Sequence, residues 1–159
     1  MAIEVRLPEG SWSGKEGSDW VHLKANDAWA LLLDYRLNKL KQLGQLAENG
    51  FIIKSWVTTD LLREIADRYG LRAIDTGIGF NKIAEAVLKE IALRHDIPVS
   101  DTEWIERLKE KVGLDEIFNE LAKIMYGGFE ESNGASLGGH TLEKDGILAA
   151  VLLAEVAAF

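Results

Sequence analysis

The sequence predicts an α/β domain with a mixed, partly parallel sheet of about four to six strands, covered by helices in a three-layer-like arrangement and preceded by an N-terminal hairpin. Three observations predict it. An apolar, β-rich run at 51–57 (FIIKSWV), a helical pattern at 61–69, a strand-like run at 71–78 and a helical pattern from Phe80 to about Arg94 follow one another directly. That strand–helix–strand–helix order is the βαβ signature and implies a parallel pair joined by a right-handed crossover. Residues 3–7 alternate apolar and charged side chains, as a half-buried strand does. Finally, 159 residues at 47% hydrophobic and 28% charged suffice for one domain with a sizeable core. The chain is therefore read as a single domain over 1–159, with the hairpin at 1–24 and the rest at 25–159.

Each element has its own warrant. In the hairpin, Ile3, Val5 and Leu7 alternate with Glu4 and Arg6, PEGSWSGKEGSD supplies turn chemistry, and Trp20 to Lys24 returns. The hairpin is expected at an edge of the sheet. Asn26 or Asp27 is expected to cap a helix running to about Leu43, with Ala28, Leu31, Leu32, Tyr35 and Leu40 as its stripe. Gly44 and Asn49-Gly50 break it. The run at 51–57 has no polar alternation, which suits a strand covered on both faces. Thr58, Thr59 and Asp60 end it and cap the next helix, which Gly70 closes. Pro98 stops the helix after the second strand. Ser100 and Glu103 have capping-box spacing before Trp104, Ile105, Leu108 and Val112, and Leu114 to Met125 makes another helix. Tyr126 to Phe129 reads as a short strand. Asp145 caps a last helix, ILAAVLLAEVAAF, that is apolar almost all round and so packs on two sides or covers a partner.

Composition removes several function classes. With 26 acidic and 18 basic residues the net charge is −8, which disfavours nucleic acid and anionic membrane as partners. The run from Ile147 to Phe159 is too short to span a bilayer and carries Glu155. There is no cysteine, hence no disulfide and no thiolate nucleophile or metal ligand. That fits a cytoplasmic chain, as does an N-terminus without signal-peptide layout. No Walker loop, complete GxGxxG, HExxH or serine-nucleophile elbow occurs. The five tryptophans are scattered, which suits packing better than a base-stacking platform.

The chemistry concentrates between Tyr126 and Gly146, YGGFEESNGASLGGHTLEKDG, which holds six glycines. Such density favours tight turns or close approach to a ligand. Carboxylates accept hydrogen bonds from sugar hydroxyls, so Glu130 and Ser132 suit a polyol. Lys144, His140 and the first N–H groups of the following helix suit an anion. Each has a plainer explanation: a glutamate-rich turn, a solvent-exposed lysine, a histidine bonded to backbone. Glu131 is expected to point away. His22 and His95 have no partner cluster and are read as structural or surface residues.

GFEES followed by GGH and EKDG resembles the sugar-binding loop of the α-D-phosphohexomutases, the phosphoglucomutase and phosphomannomutase family. KSWVTTDLLREIADRYG, AIDTGIGF and ALLLDY resemble other segments of that family's third domain, in the family's order, and the likeness covers roughly Ala25 to Phe159. The resemblance implies that Glu130 and Ser132 bond hydroxyls of a hexose phosphate and that Lys144, with His140, lies near the transferred phosphate. It also implies that the complete enzyme moves a phosphoryl group between C1 and C6 through a phosphoserine and Mg²⁺. The family's phosphoserine loop, aspartate metal loop and C-terminal phosphate-binding domain have no counterpart here. So no catalytic residue, no metal ligand and no cofactor is assigned to this chain, and the remaining phosphohexomutase domains are its expected partners. Where the family usually reads Gly-Phe-Lys, this chain has Gly79-Phe80-Asn81, with Lys82 one place on. A one-residue shift turns a helical side chain by about 100°. Either Lys82 points away, or the helix starts differently. The competing reading is a non-catalytic interaction or scaffold domain that keeps only the fold, with a homo-oligomer formed through 147–159.

Overall fold

The computed structural model describes residues 3–8, 11 and 19–158. Its elements are β1 (Ile3–Arg6), β2 (Trp20–Leu23), α1 (Ala25–Gln42), β3 (Phe51–Ser55), α2 (Leu61–Arg68), β4 (Arg72–Thr76), α3 (Phe80–Arg94), α4 (Trp104–Val112), α5 (Leu114–Ile124), β5 (Met125–Glu130), β6 (Gly134–Ser136) and α6 (Gly146–Ala158). The main sheet has four strands in the order β4-β3-β5-β6. β3 pairs parallel with β4 on one side and with β5 on the other, and β6 is antiparallel to β5. The expected parallel neighbours joined by one helix are thus β3, α2 and β4. β1 and β2 pair with each other in a separate two-stranded sheet rather than at an edge of the main one. Most of the turn expected between them lies outside the described residues.

Side-chain alternation along β3 divides the core in two. Ile52 faces a cluster built by Trp29, Leu33, Leu62 and Ala149, from α1, α2 and α6. Phe51 and Ile53 face the opposite cluster, with Ile83, Leu108 and Leu121 from α3, α4 and α5. Every residue of β3 is buried, which is why it carries no alternation of apolar and polar residues. The result is helices, sheet, helices, with the central strand covered on both faces.

Several caps differ from expectation, two of them because the polar side chain has a tertiary partner. α1 begins at Ala25, and Asn26 Oδ1 instead accepts from the Thr59 N–H at 3.2 Å. Asp60 turns its carboxylate to Lys54, leaving Thr59 Oγ1 to accept from Leu61 N–H at 3.3 Å. Before α4, Asp101 rather than Ser100 accepts the Glu103 N–H, at 2.9 Å. Asp145 does cap α6, accepting from Leu148 N–H at 2.9 Å.

Candidate functional site

β3 is the first strand of the sheet, β4 adds on one side of it and β5 on the other, so the chain reverses direction of growth between β3 and β5. In open α/β sheets ligands gather at the carboxyl ends of strands at such a switch point. Here that end carries Ser55, Thr58, Gly79, Glu130 and the turn at 131–133.

Glu130 is the last residue of β5, and its side chain is only 3% exposed. A buried carboxylate needs partners, and it has three. Gly79 N–H donates to Oε1 at 3.0 Å, the Lys144 ammonium lies 2.8 Å from Oε2, and Ser132 Oγ reaches the same oxygen at 3.5 Å. Its backbone carbonyl accepts from Trp29 Nε1 at 2.8 Å, so the strand end is pinned from the opposite layer. Gly79 is the residue before α3 and has φ +114, a conformation that side-chain-bearing residues rarely adopt. That backbone geometry aims its N–H, and the positive end of α3, at the carboxylate. Lys144 is half exposed and its ammonium also sits 5.7 Å from the Phe80 ring centroid.

The predicted residues therefore divide. Glu130, Ser132 and Lys144 come together. His140 does not join them: its Nε2 lies 2.7 Å from Asp145 Oδ2, at the start of α6. The Leu148 N–H bond first, and His140 second, hold the Asp145 carboxyl below the usual range. Gly139 seats this part of the loop on α5: its φ is +68, and a Cβ there would fall 2.4 Å from the Leu121 carbonyl carbon. Glu131, expected to point away, instead accepts from Ser55 Oγ at 3.0 Å and so ties the turn to β3. Thr58 Oγ1 lies 2.7 Å from Ser55 Oγ and 3.3 Å from the Phe129 carbonyl, so its single proton serves one or the other. Lys82 pairs with Glu85 at 3.1 Å.

Lys54, a second cation at this end, is committed internally. Its ammonium lies 3.0 Å from Asp60 Oδ1, 3.2 Å from Asp75 Oδ1 and 3.0 Å from the Thr58 carbonyl. The bond from Lys54, and then its charge, hold the Asp60 carboxyl below its ordinary range. Among the described residues no three His, Asp or Glu side chains gather closely enough to hold a metal ion. The described residues do not fit a Mg²⁺ site.

Comparison with known proteins bears on this geometry. Residues 24–94 and 99–158 match the sequence profile of phosphoglucomutase/phosphomannomutase, alpha/beta/alpha domain III. The chain belongs to this family. Its fold is similar to that of a "putative phosphomannomutase" from Thermus thermophilus, with a TM-score of 0.55 and 25% identity. The match covers 87% of this chain and 23% of that one, so this chain spans about a quarter of the length of that protein. No curated protein matches by sequence. Among the described residues no helix is long and apolar enough to cross a membrane.

Proposed function

We infer that this domain III recognises a hexose phosphate for a phosphoglucomutase/phosphomannomutase-type reaction and does not turn it over alone. The observation that supports the reading best is the Glu130 carboxylate, buried at the switch point yet bonded to a backbone N–H, a serine and a half-exposed lysine. A ligand hydroxyl reaching Glu130 competes with the Lys144 ammonium for Oε2. Once displaced, that ammonium is free to meet a phosphate, because lysine is a flexible point charge. The exchange couples two recognitions: Glu130 and Ser132 orient the sugar while Lys144 receives the anion. Leaving a buried carboxylate without a hydroxyl donor costs discrimination against sugars lacking one. His140, at Asp145, acts one turn away by fixing the loop that carries Lys144, and contacts the phosphate only if that loop moves.

Phosphoryl transfer needs an acceptor oxygen on the enzyme and a cation for the developing charge. Ser55 is spent on Thr58 and Glu131, and Ser136 donates to the Thr141 carbonyl at 3.1 Å. Ser132, beside Glu130, is kept for the sugar, so on this reading other domains supply the nucleophile and metal. A coupled mutase assay with Mg²⁺ and a hexose bisphosphate should detect no turnover by this chain. Turnover that survives repurification and vanishes in Glu130→Ala would contradict that. Titrating glucose 1-phosphate should shift amides across 128–146, and silence at millimolar ligand would contradict the binding itself.

A second reading rests on α6, where Ile147 and Val151 stand exposed while only Ala149 and Leu153 are buried. A scaffold domain that pairs through this face would sediment as a dimer, and Val151→Glu would dissociate it. A monomer at micromolar concentration excludes it.

A further inference from the structure

The carboxyl end of the sheet also presents apolar side chains to water. Trp56 is 71% exposed and Ile78 is 65% exposed, although neither belongs to either core cluster. Their placement follows from the sheet. β4 and β5 lie on opposite sides of β3. Neighbouring strands are about 4.8 Å apart, so the ends of β4 and β5 are about 10 Å apart. Gly79 follows β4 by three residues, yet its N–H bonds Glu130 at the end of β5. The segment 77–79 must therefore arch across the end of β3. Trp56 leaves β3 directly beneath that arch, and its N–H donates to the Thr76 carbonyl at 3.0 Å. On the other side Lys54 is level with Phe129, which sets Ser55 and Trp56 beside Glu130 and Glu131. The backbone of Trp56 thus leaves β3 next to the strand end that carries Glu130, with Ile78 on the arch beside it and both side chains exposed at this end of the sheet.

We propose that Trp56, with Ile78 beside it, forms the apolar wall of the sugar site and stacks on the C–H face of a pyranose ring. The inference rests on the hexose-phosphate reading and names a specificity residue for that site. Ligand sites combine a few polar groups with apolar and aromatic walls. A pyranose is recognised on two kinds of surface: hydroxyls around its edge, and patches of axial C–H bonds on its faces. Glu130 and Ser132 serve the edge only. An aromatic ring offers a flat, polarisable surface with little entropy to lose on binding, which suits the C–H face. Since Trp56 carries no cation, its contribution is to the sugar and not to the phosphate.

The test is an amide-shift titration of the whole chain with glucose 1-phosphate and, separately, inorganic phosphate, in wild type, Trp56→Ala, Trp56→Phe and Glu130→Gln. Because Trp56 is exposed, Trp56→Ala should keep the wild-type amide dispersion. Trp56→Ala is expected to weaken glucose 1-phosphate at least tenfold and leave inorganic phosphate unchanged, with Trp56→Phe within threefold of wild type. If wild type binds the sugar phosphate, Glu130→Gln loses it and Trp56→Ala binds unchanged, the apolar-wall inference fails alone. The same holds if Trp56→Ala changes only the sedimentation coefficient, which would make the patch a protein-docking surface. If wild type ignores glucose 1-phosphate, the hexose-phosphate reading fails and takes this inference with it.

Discussion

Lys54 and Lys144 stand at the same end of the same sheet and both face carboxylates, yet they occupy opposite environments. The Lys54 side chain is 2% exposed and meets two carboxylates and a carbonyl; the Lys144 side chain is 48% exposed and meets one carboxylate. The Lys54 ammonium has three donors and three acceptors, so nothing is left for a ligand. Lys144 has donor capacity to spare and a long, mobile stem. The carboxylates mirror this: Asp60 is solvent-facing and paired to a buried lysine, whereas Glu130 is buried and paired to a solvent-facing one. A salt bridge whose lysine is buried holds a loop. The bridge whose carboxylate is buried leaves a half-exposed ammonium over an acceptor.

The comparison breaks first at Lys54. Lys54→Ala should destabilise the fold by about 3 kcal/mol in urea denaturation, at the low end for disrupting a buried ion pair because water can serve the exposed Asp60. Lys54→Met, which keeps the apolar stem, should recover part of that loss. A Lys54→Ala protein within about 0.5 kcal/mol of wild type, the range of ordinary surface substitutions, would show that the post-β3 loop holds itself.

Next in size is the cap of α6, which carries the residues following Lys144. Asp145→Ala should cost about 1 kcal/mol. Because the Asp145 carboxyl is held below its ordinary range, its contribution is complete above the unfolded pKa near 3.9 and is lost as pH falls through the lower folded value. Wild type and Asp145→Asn should therefore converge in stability below about pH 4. A gap that stays constant down to pH 2 would contradict this.

How much of this could be read in the sequence depends on the range of the interactions involved. β3, α2 and β4 were legible because the apolar run at 51–57 and the amphipathic 61–69 report local periodicity. The strand ends were not: Trp56 and Val57 look like strand yet lie beyond Ser55 in an exposed turn. β6 was missed because Gly-Ala-Ser has no alternation to read, although Asn133-Gly134 is a strong hairpin signal and Asn133 has φ +66. Caps at Asn26 and Asp60 failed because Thr59, distant in sequence from Asn26, and Lys54, on the strand before Asp60, take those side chains. In the site, the Glu-x-Ser pair and Lys144 are neighbours along the chain and could be singled out. The roles of Gly79, Ser55 and Thr58 depend on strand order, which pairs residues 51 to 76 positions apart.

Removing Lys144 should have a small effect on folding and a large one on ligand. Lys144→Ala should cost about 1 kcal/mol, because the buried Glu130 carboxylate loses its counter-charge but keeps the Gly79 N–H and Ser132, and water enters where the half-exposed ammonium stood. Its affinity for glucose 1-phosphate should fall about tenfold, equal to about 1.4 kcal/mol. Equal losses of stability in Lys144→Ala and Lys54→Ala would erase the distinction between the two lysines.

The claim that Glu130 is an acceptor for a sugar is tested most directly by isothermal titration of glucose 1-phosphate into wild type and Glu130→Gln. Glutamine keeps the size of the side chain and removes its charge and half of its acceptor capacity. Saturable binding by wild type, weakened at least tenfold in Glu130→Gln at an unchanged unfolding midpoint, is the predicted result; equal affinity in the two proteins would contradict it.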